Sequence, residues 1–173
     1  MLRIKQIYEL WKRDNLMEQA LGNSHAMLER TNRMFTESVK SLRENDGGEI
    51  GIDIYEEDQQ VNLYEQKVRR KVLKHLAITG TAHVVPGLIL TSIVIDIERV
   101  GDYTKNITEL AMSHPKRLEC GPYESEVVRI EEAVRSLFDA IGPVLRAGDQ
   151  ERARSLTEAT TWIKKSCDEI VDN

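Results

Sequence analysis

Glu98, Asp102 and Asn106 recur at every fourth residue within the stretch DIERVGDYTKNI, residues 96–107. On a helix, side chains four apart leave one face with their Cβ atoms about 5–6 Å apart, so Glu98 and Asp102 can address a single point. Two carboxylates that close repel, and burial adds a desolvation penalty that pushes at least one of them toward its neutral form. A divalent or trivalent cation relieves both costs. Hard oxygen donors suit magnesium, manganese or iron, and acids on adjacent helices of a bundle are a recurrent way to hold such ions. A second set, Asp58, Asn62 and Glu65, lies upstream on the apolar stripe of Ile54, Val61, Val68 and Val72, where acids are out of place. Asp58, Asn62, Glu98 and Asp102 are therefore the candidate metal ligands, with Glu65 as a further oxygen donor.

Spacing alone supports a second reading equally well. Arg99 can reach Asp96 three residues before it and Asp102 three after, which makes a surface ion-pair ladder of a few tenths of a kcal/mol per pair. At roughly 100° per residue Asp96 points away from the edge shared by Glu98 and Asp102 and is left out of the ligand set. Glu65 has Arg69 four residues on, a pairing that competes with ligation. The four histidines, His25, His75, His83 and His114, fall on different elements with no ExxH or HExxH arrangement, and carry no assigned chemistry. Met17, Met27 and Met34 read as core filler, and Trp11 and Trp162 as packing or interface anchors. No Ser/His/Asp set, phosphate-binding glycine loop or nucleophile elbow is present, so nothing in the sequence argues for an enzyme.

The elements that must position these residues read as helices. Leu10, Met17, Leu21, Leu28, Phe35 and Leu42 predict a first helix over about 4–43, with a break near Gly22 and Asn23. ENDGGEIGID is dense in turn residues, and Asp53 with Glu56 starts a second helix over about 54–78. After TGTAHVVPG, a third helix over about 86–112 is apolar on nearly every side in its first half, which marks it as the central buried element. HPKRLECGPY separates it from a fourth helix over about 125–145, whose last turn Pro143 should bend. Asp149 caps a fifth that carries Leu156, Ile163 and Ile170. Short connections make neighbours antiparallel. Helices four and five imitate one and two, giving a first repeat over 1–114 and a second over 115–173 that lacks its third helix.

Composition agrees with an all-α protein: aromatics and prolines are few, and the helix formers Ala, Leu, Glu, Lys and Arg are plentiful. A net charge of −5 with acids and bases interspersed leaves no basic stripe for a nucleic acid. Cys120 and Cys167 lie far apart without zinc-ligand spacing, consistent with two reduced thiols in a cytoplasmic protein. The N-terminus lacks a signal peptide's apolar core, and the longest apolar run, VVPGLILTSIVI, is short of the roughly 20 residues that cross a bilayer.

With these residues in place, the chain resembles the PhoU family of phosphate uptake regulators. The family's third-helix pattern is matched by Asp96, Ile97, Glu98, Arg99, Val100, Gly101, Asp102, Asn106 and Ile107, and its second-helix pattern by Asp58, Val61 and Asn62. The resemblance implies antiparallel three-helix bundles, here one complete bundle and two helices of another. It implies a metal-binding, non-catalytic regulator that binds a phosphate transporter or a sensor kinase, and it favours the metal reading of the acids. Thr160, Ile163 and Lys164 fall where Asp58, Val61 and Asn62 stand, so the second repeat lacks its helix-two acid. Either the chain stops early or a partner supplies the missing helix. In both cases uncovered apolar faces on helices four and five predict a homo-oligomer, most simply a dimer. A cytoplasmic tail of a sodium/phosphate cotransporter would show the same residues. A di-iron carboxylate enzyme would need ExxH on two helices, which is missing, and a metal-free helical scaffold would not need its acids.

Overall fold

The computed structural model describes residues 16–114 and 116–172, with the side chains of residues 81 and 82 left aside. Five α-helices and no strand occur among the described residues: α1 Leu16–Glu44, α2 Ile54–Thr79, α3 Val84–Ser113, α4 Glu124–Ala147 and α5 Gln150–Val171. The expected helical turns before Leu16, with Leu10 and the Trp11 anchor, lie outside the described residues. Helices α1–α3 pack as a bundle, and α4 and α5 form a second pair.

Helix ends follow local chemistry. Asp53 accepts from the backbone N–H groups of Tyr55 and Glu56 at 3.1 and 3.0 Å, and Asp149 accepts from that of Arg152 at 3.0 Å, so each satisfies donors that the first turn leaves open. Pro86 sits in the first turn of α3, where an N–H would have no helical partner. Pro143 lies inside α4, which continues to Ala147 and ends at Gly148 in the left-handed region, φ 62°. The expected break at Gly22 is not found. Gly22 is exposed on α1, and neighbouring turns anchored by the buried Ala20 and Ser24 outweigh its cost of about 1 kcal/mol.

The three bundle helices bury seams at alternating four- and three-residue steps. On α1 the seam is Ala20, Ser24, Met27, Thr31, Met34, Ser38 and Ser41, each at most 1% exposed. Four of these seven side chains bear hydroxyls. Ser24 donates to the carbonyl of Ala20 and Thr31 to that of Leu28, which satisfies them inside their own helix. On α3 the seam is Leu90, Val94, Ile97, Gly101, Thr104, Thr108 and Ala111, all buried. The remainder of α3 is not enclosed: Val85, Leu88, Ile89 and Tyr103 are more than half exposed, and Val100 faces outward at 37%. This corrects the expectation of a helix buried all round, because a three-helix bundle covers one face of each member.

The packing divides into two compact units, one of residues 1–35 and 52–106, the other of residues 36–51 and 107–173. In the first, Arg30 and Arg33 on α1 clamp Glu57 on α2 at 2.5 and 2.7 Å. In the second, the Arg43 guanidinium bonds Glu124, reaches Glu131 at 3.1 Å, and donates to the Leu118 carbonyl. Gly48, at φ 70°, lies so close to α3 that a Cβ on it would stand 2.6 Å from the Ala111 carbonyl oxygen.

Candidate functional site

The acids of α2 occupy its seam. Ile54, Asp58, Val61, Glu65, Val68 and Val72 follow the same four-three alternation as the other helices; the four apolar members are buried, and the side chains of Asp58 and Glu65 are 14% and 15% exposed. Burial of the apolar members on either side draws the two carboxylates inward.

Gly101 lies on the buried seam of α3, where a Cβ would make ordinary contacts of 3.5 Å to Thr31 Cγ2 and 3.6 Å to Val61 Cγ1. Glu98 and Asp102 flank this glycine. Their neighbour in space is Lys105, whose Nζ donates to Asp102 Oδ1 at 3.0 Å and to Asp58 Oδ2 at 3.2 Å. Asp58 and Asp102 are thus brought together by an ammonium group. Glu98 joins them electrostatically: burial first, then the charges of Asp102, Glu65 and Asp58, push its carboxyl above the usual range, and Lys105 only partly offsets them. Lys105 is held above its ordinary value, chiefly by its hydrogen bond to Asp102.

The other candidates are placed as follows. Asn62 lies half-buried one turn beyond Asp58 on α2, and Asn106 is exposed. Glu65 pairs with Arg69 at 2.9 Å, the competing partner expected from their spacing. Asp96 faces solvent beside Arg99 at 3.7 Å, with both side chains more than half exposed; the ladder extends no further, since Asp102 pairs with Lys105. Lys105 is the residue that the spacing argument passed over. Glu98, Asp102 and Lys105 stand at i, i+4 and i+7, so its place on the acidic edge was readable. Two histidines also meet across the turn between α2 and α3: His75 and His83 share an N···N contact of 2.9 Å.

A family model described as the PhoU domain matches residues 25–111, which span most of α1, all of α2 and nearly all of α3. The chain belongs to the PhoU family. No curated protein and no solved structure matches it. Membership implies a role in regulating phosphate uptake, and the PhoU family is regulatory rather than catalytic. The PhoU family is also known to bind metal, which poses a question of fit. Among the described residues no three carboxylates, thiols or imidazoles are gathered as a ready coordination sphere. The donor chemistry nevertheless suits a hard cation: the Asp58 and Asp102 carboxylates share the Lys105 ammonium, and burial first, then neighbouring acid charge, raises the Glu98 carboxyl beside them. No helix among the described residues is long and apolar enough to cross a membrane.

Proposed function

We propose that this PhoU-family chain acts in phosphate homeostasis in the cytoplasm by binding a phosphate transporter or a sensor kinase and restraining uptake or signalling. The observation that carries the reading is the PhoU match over residues 25–111, the segment that holds the seam acids of α2 and the acidic edge of α3. The outward apolar side chains of α3, among them Val85, Leu88, Ile89 and Tyr103, support a protein partner, since monomers seldom leave contiguous apolar surface in water.

Asp58, Asn62, Glu98 and Asp102 are the side chains that would hold a divalent or trivalent cation such as iron, manganese or magnesium. Such an ion would supply positive charge shared between α2 and α3. The chain's own residues perform the rest: Lys105 would release Asp58 and Asp102 to face a stronger counter-charge. Residues 1–114 make the first repeat and 115–173 a second, shorter one. Its α4 and α5 bury only Val144 among their described residues, which supports self-association into a dimer.

Thermal unfolding in EDTA, followed by addition of manganese, magnesium or iron, tests the metal part. A cation at 100 times its Kd adds about 2.7 kcal/mol, and the pair Glu98→Gln with Asp102→Asn should abolish that gain. An unchanged midpoint with every metal sinks this part. The regulatory part is tested separately, by binding of the full chain to vesicles carrying a phosphate transporter and to a purified sensor kinase; no binding to either overturns it.

A further inference from the structure

The turn joining α2 to α3 brings two imidazoles into an arrangement that the acidic edge does not use. His75 lies one turn before the end of α2, and His83 closes the 3-10 turn Gly80–His83 that leads into α3. Their rings stack with centroids 5.0 Å apart and 30° between planes, and His75 Nε2 lies 2.9 Å from His83 Nδ1. Thr79, between them, donates its hydroxyl to the His75 carbonyl at 2.9 Å and tightens the last turn of α2. Burial, and then the nearness of His83, hold His75 below its ordinary value.

We infer that His75 and His83 form a two-nitrogen chelate for a late first-row metal cation, copper(II) or nickel(II), separate from the carboxylates of α2 and α3. The distance argues for that class. Two metal–nitrogen bonds of about 2.0–2.1 Å set at a right angle place the nitrogens about 2.9 Å apart, whereas a tetrahedral angle needs about 3.3 Å. Square-planar and tetragonal ions with nitrogen ligands therefore fit the existing bite, and tetrahedral zinc requires it to widen. In the metal-free chain one nitrogen donates its N–H to the other. When both lone pairs turn to a metal, that hydrogen moves to the far nitrogen of its own ring, so the two facing nitrogens are both free to bind. Water completes the coordination. The imidazoles favour copper and nickel, while the hard oxygens of Asp58, Glu98 and Asp102 favour magnesium, manganese or iron.

The test is calorimetric titration of the untagged full chain with copper(II), nickel(II) and zinc chlorides, paired with electron paramagnetic resonance of the copper form. The wild type should bind one equivalent with two-nitrogen hyperfine structure, copper tightest and zinc weakest relative to copper. His75→Gln and His83→Gln should each weaken copper by about tenfold or more, and the double variant should add little, since one lost ligand already ends the chelate. Circular dichroism confirms that these variants fold. Glu98→Gln with Asp102→Asn, and His114→Gln, should leave copper binding unchanged. Equal copper affinity in wild type and both single histidine variants overturns the inference, as does a loss that follows the carboxylate pair or His114 instead.

Discussion

In the first compact unit Val61, Val68 and Val94 are at most 1% exposed, whereas α5 of the second buries no described residue and α4 buries only Val144. The units also handle charge differently. The first shares one ammonium, Lys105, between Asp58 and Asp102, and burial with the neighbouring acids raises the Glu98 carboxyl. The second sets the Arg43 guanidinium between Glu124 and Glu131, with further bonds to the Leu118 carbonyl and, at 3.3 Å, to Cys120 Sγ. A planar fork of N–H groups bonds Glu124 and the Leu118 carbonyl at once, though burial still holds the Glu131 carboxyl above its usual range, while an ammonium is a point charge on a flexible stem. The difference separates a guanidinium held by several partners from an ammonium shared by two carboxylates. On α5, Thr160 directs its hydroxyl to the carbonyl of Leu156 at 3.0 Å.

The largest expected effect falls on Gly48. A Cβ would meet the Ala111 backbone at 2.6 Å in a left-handed conformation, so Gly48→Ala should cost about 3 kcal/mol or more in denaturant unfolding. Gly101→Ala in the first unit meets only ordinary contacts and should stay within about 1 kcal/mol. Next, Arg43→Met, which leaves the partly buried Glu131 with only the more distant charge of Arg135 and removes the bonds to Glu124 and Leu118, should cost about 2 kcal/mol. Val68→Ala should cost about 2 kcal/mol and Ile163→Ala, half-buried on α5, less than about 1 kcal/mol. Similar values would mean that the two cores are equally closed. Lys105→Met should destabilise the metal-free chain by about 1 kcal/mol and strengthen manganese binding measured by calorimetry. The smallest effect concerns acid. The Cys120 N–H and Arg43 hold the Glu124 carboxyl below its usual range, so its stabilising contribution is complete above the unfolded-state value and lost as pH falls through the folded one. Glu124→Gln should flatten the acid limb of a stability profile, and an unchanged limb would refute that assignment.

How much the sequence disclosed depended on how each helix advertises its buried face. On α2 the stripe of Ile54, Val61, Val68 and Val72 was readable because every apolar member is a strong hydrophobe, and all four are buried. The caps Asp53 and Asp149 and the pair Glu65 with Arg69 were equally local and equally visible. The seam of α1 was readable only in part: Met27 and Met34, read as core filler, are fully buried, and Phe35 and Leu42 are buried beside it. Ser24, Thr31, Ser38 and Ser41 count as polar in any periodicity, yet as small side chains they lie wholly inside, while the more conspicuous Met17, Leu21 and Leu28 sit half-buried at the rim. On α3 the opposite error arose, since a run of hydrophobes hides which face is covered; Leu90 and Ile97 are inside, and Val100 is not. Of the candidate site, the acids of both helices were readable from spacing. Their common partner Lys105 was also within reach of spacing, while the meeting of His75 with His83 depends on a turn whose geometry no period encodes.

One contact on the α1 seam has a mechanical corollary. Ser24 and Thr31 bond carbonyls of their own helix, so those hydroxyls are indifferent to where along its axis α1 sits against its neighbours. Ser38 and Thr108, 0% exposed and 2.7 Å apart, are the buried hydroxyl pair among the described residues that joins two helices, and it discriminates between axial positions. It acts as a detent on an otherwise smooth rail: a slide of one turn would part the two oxygens and leave both without water.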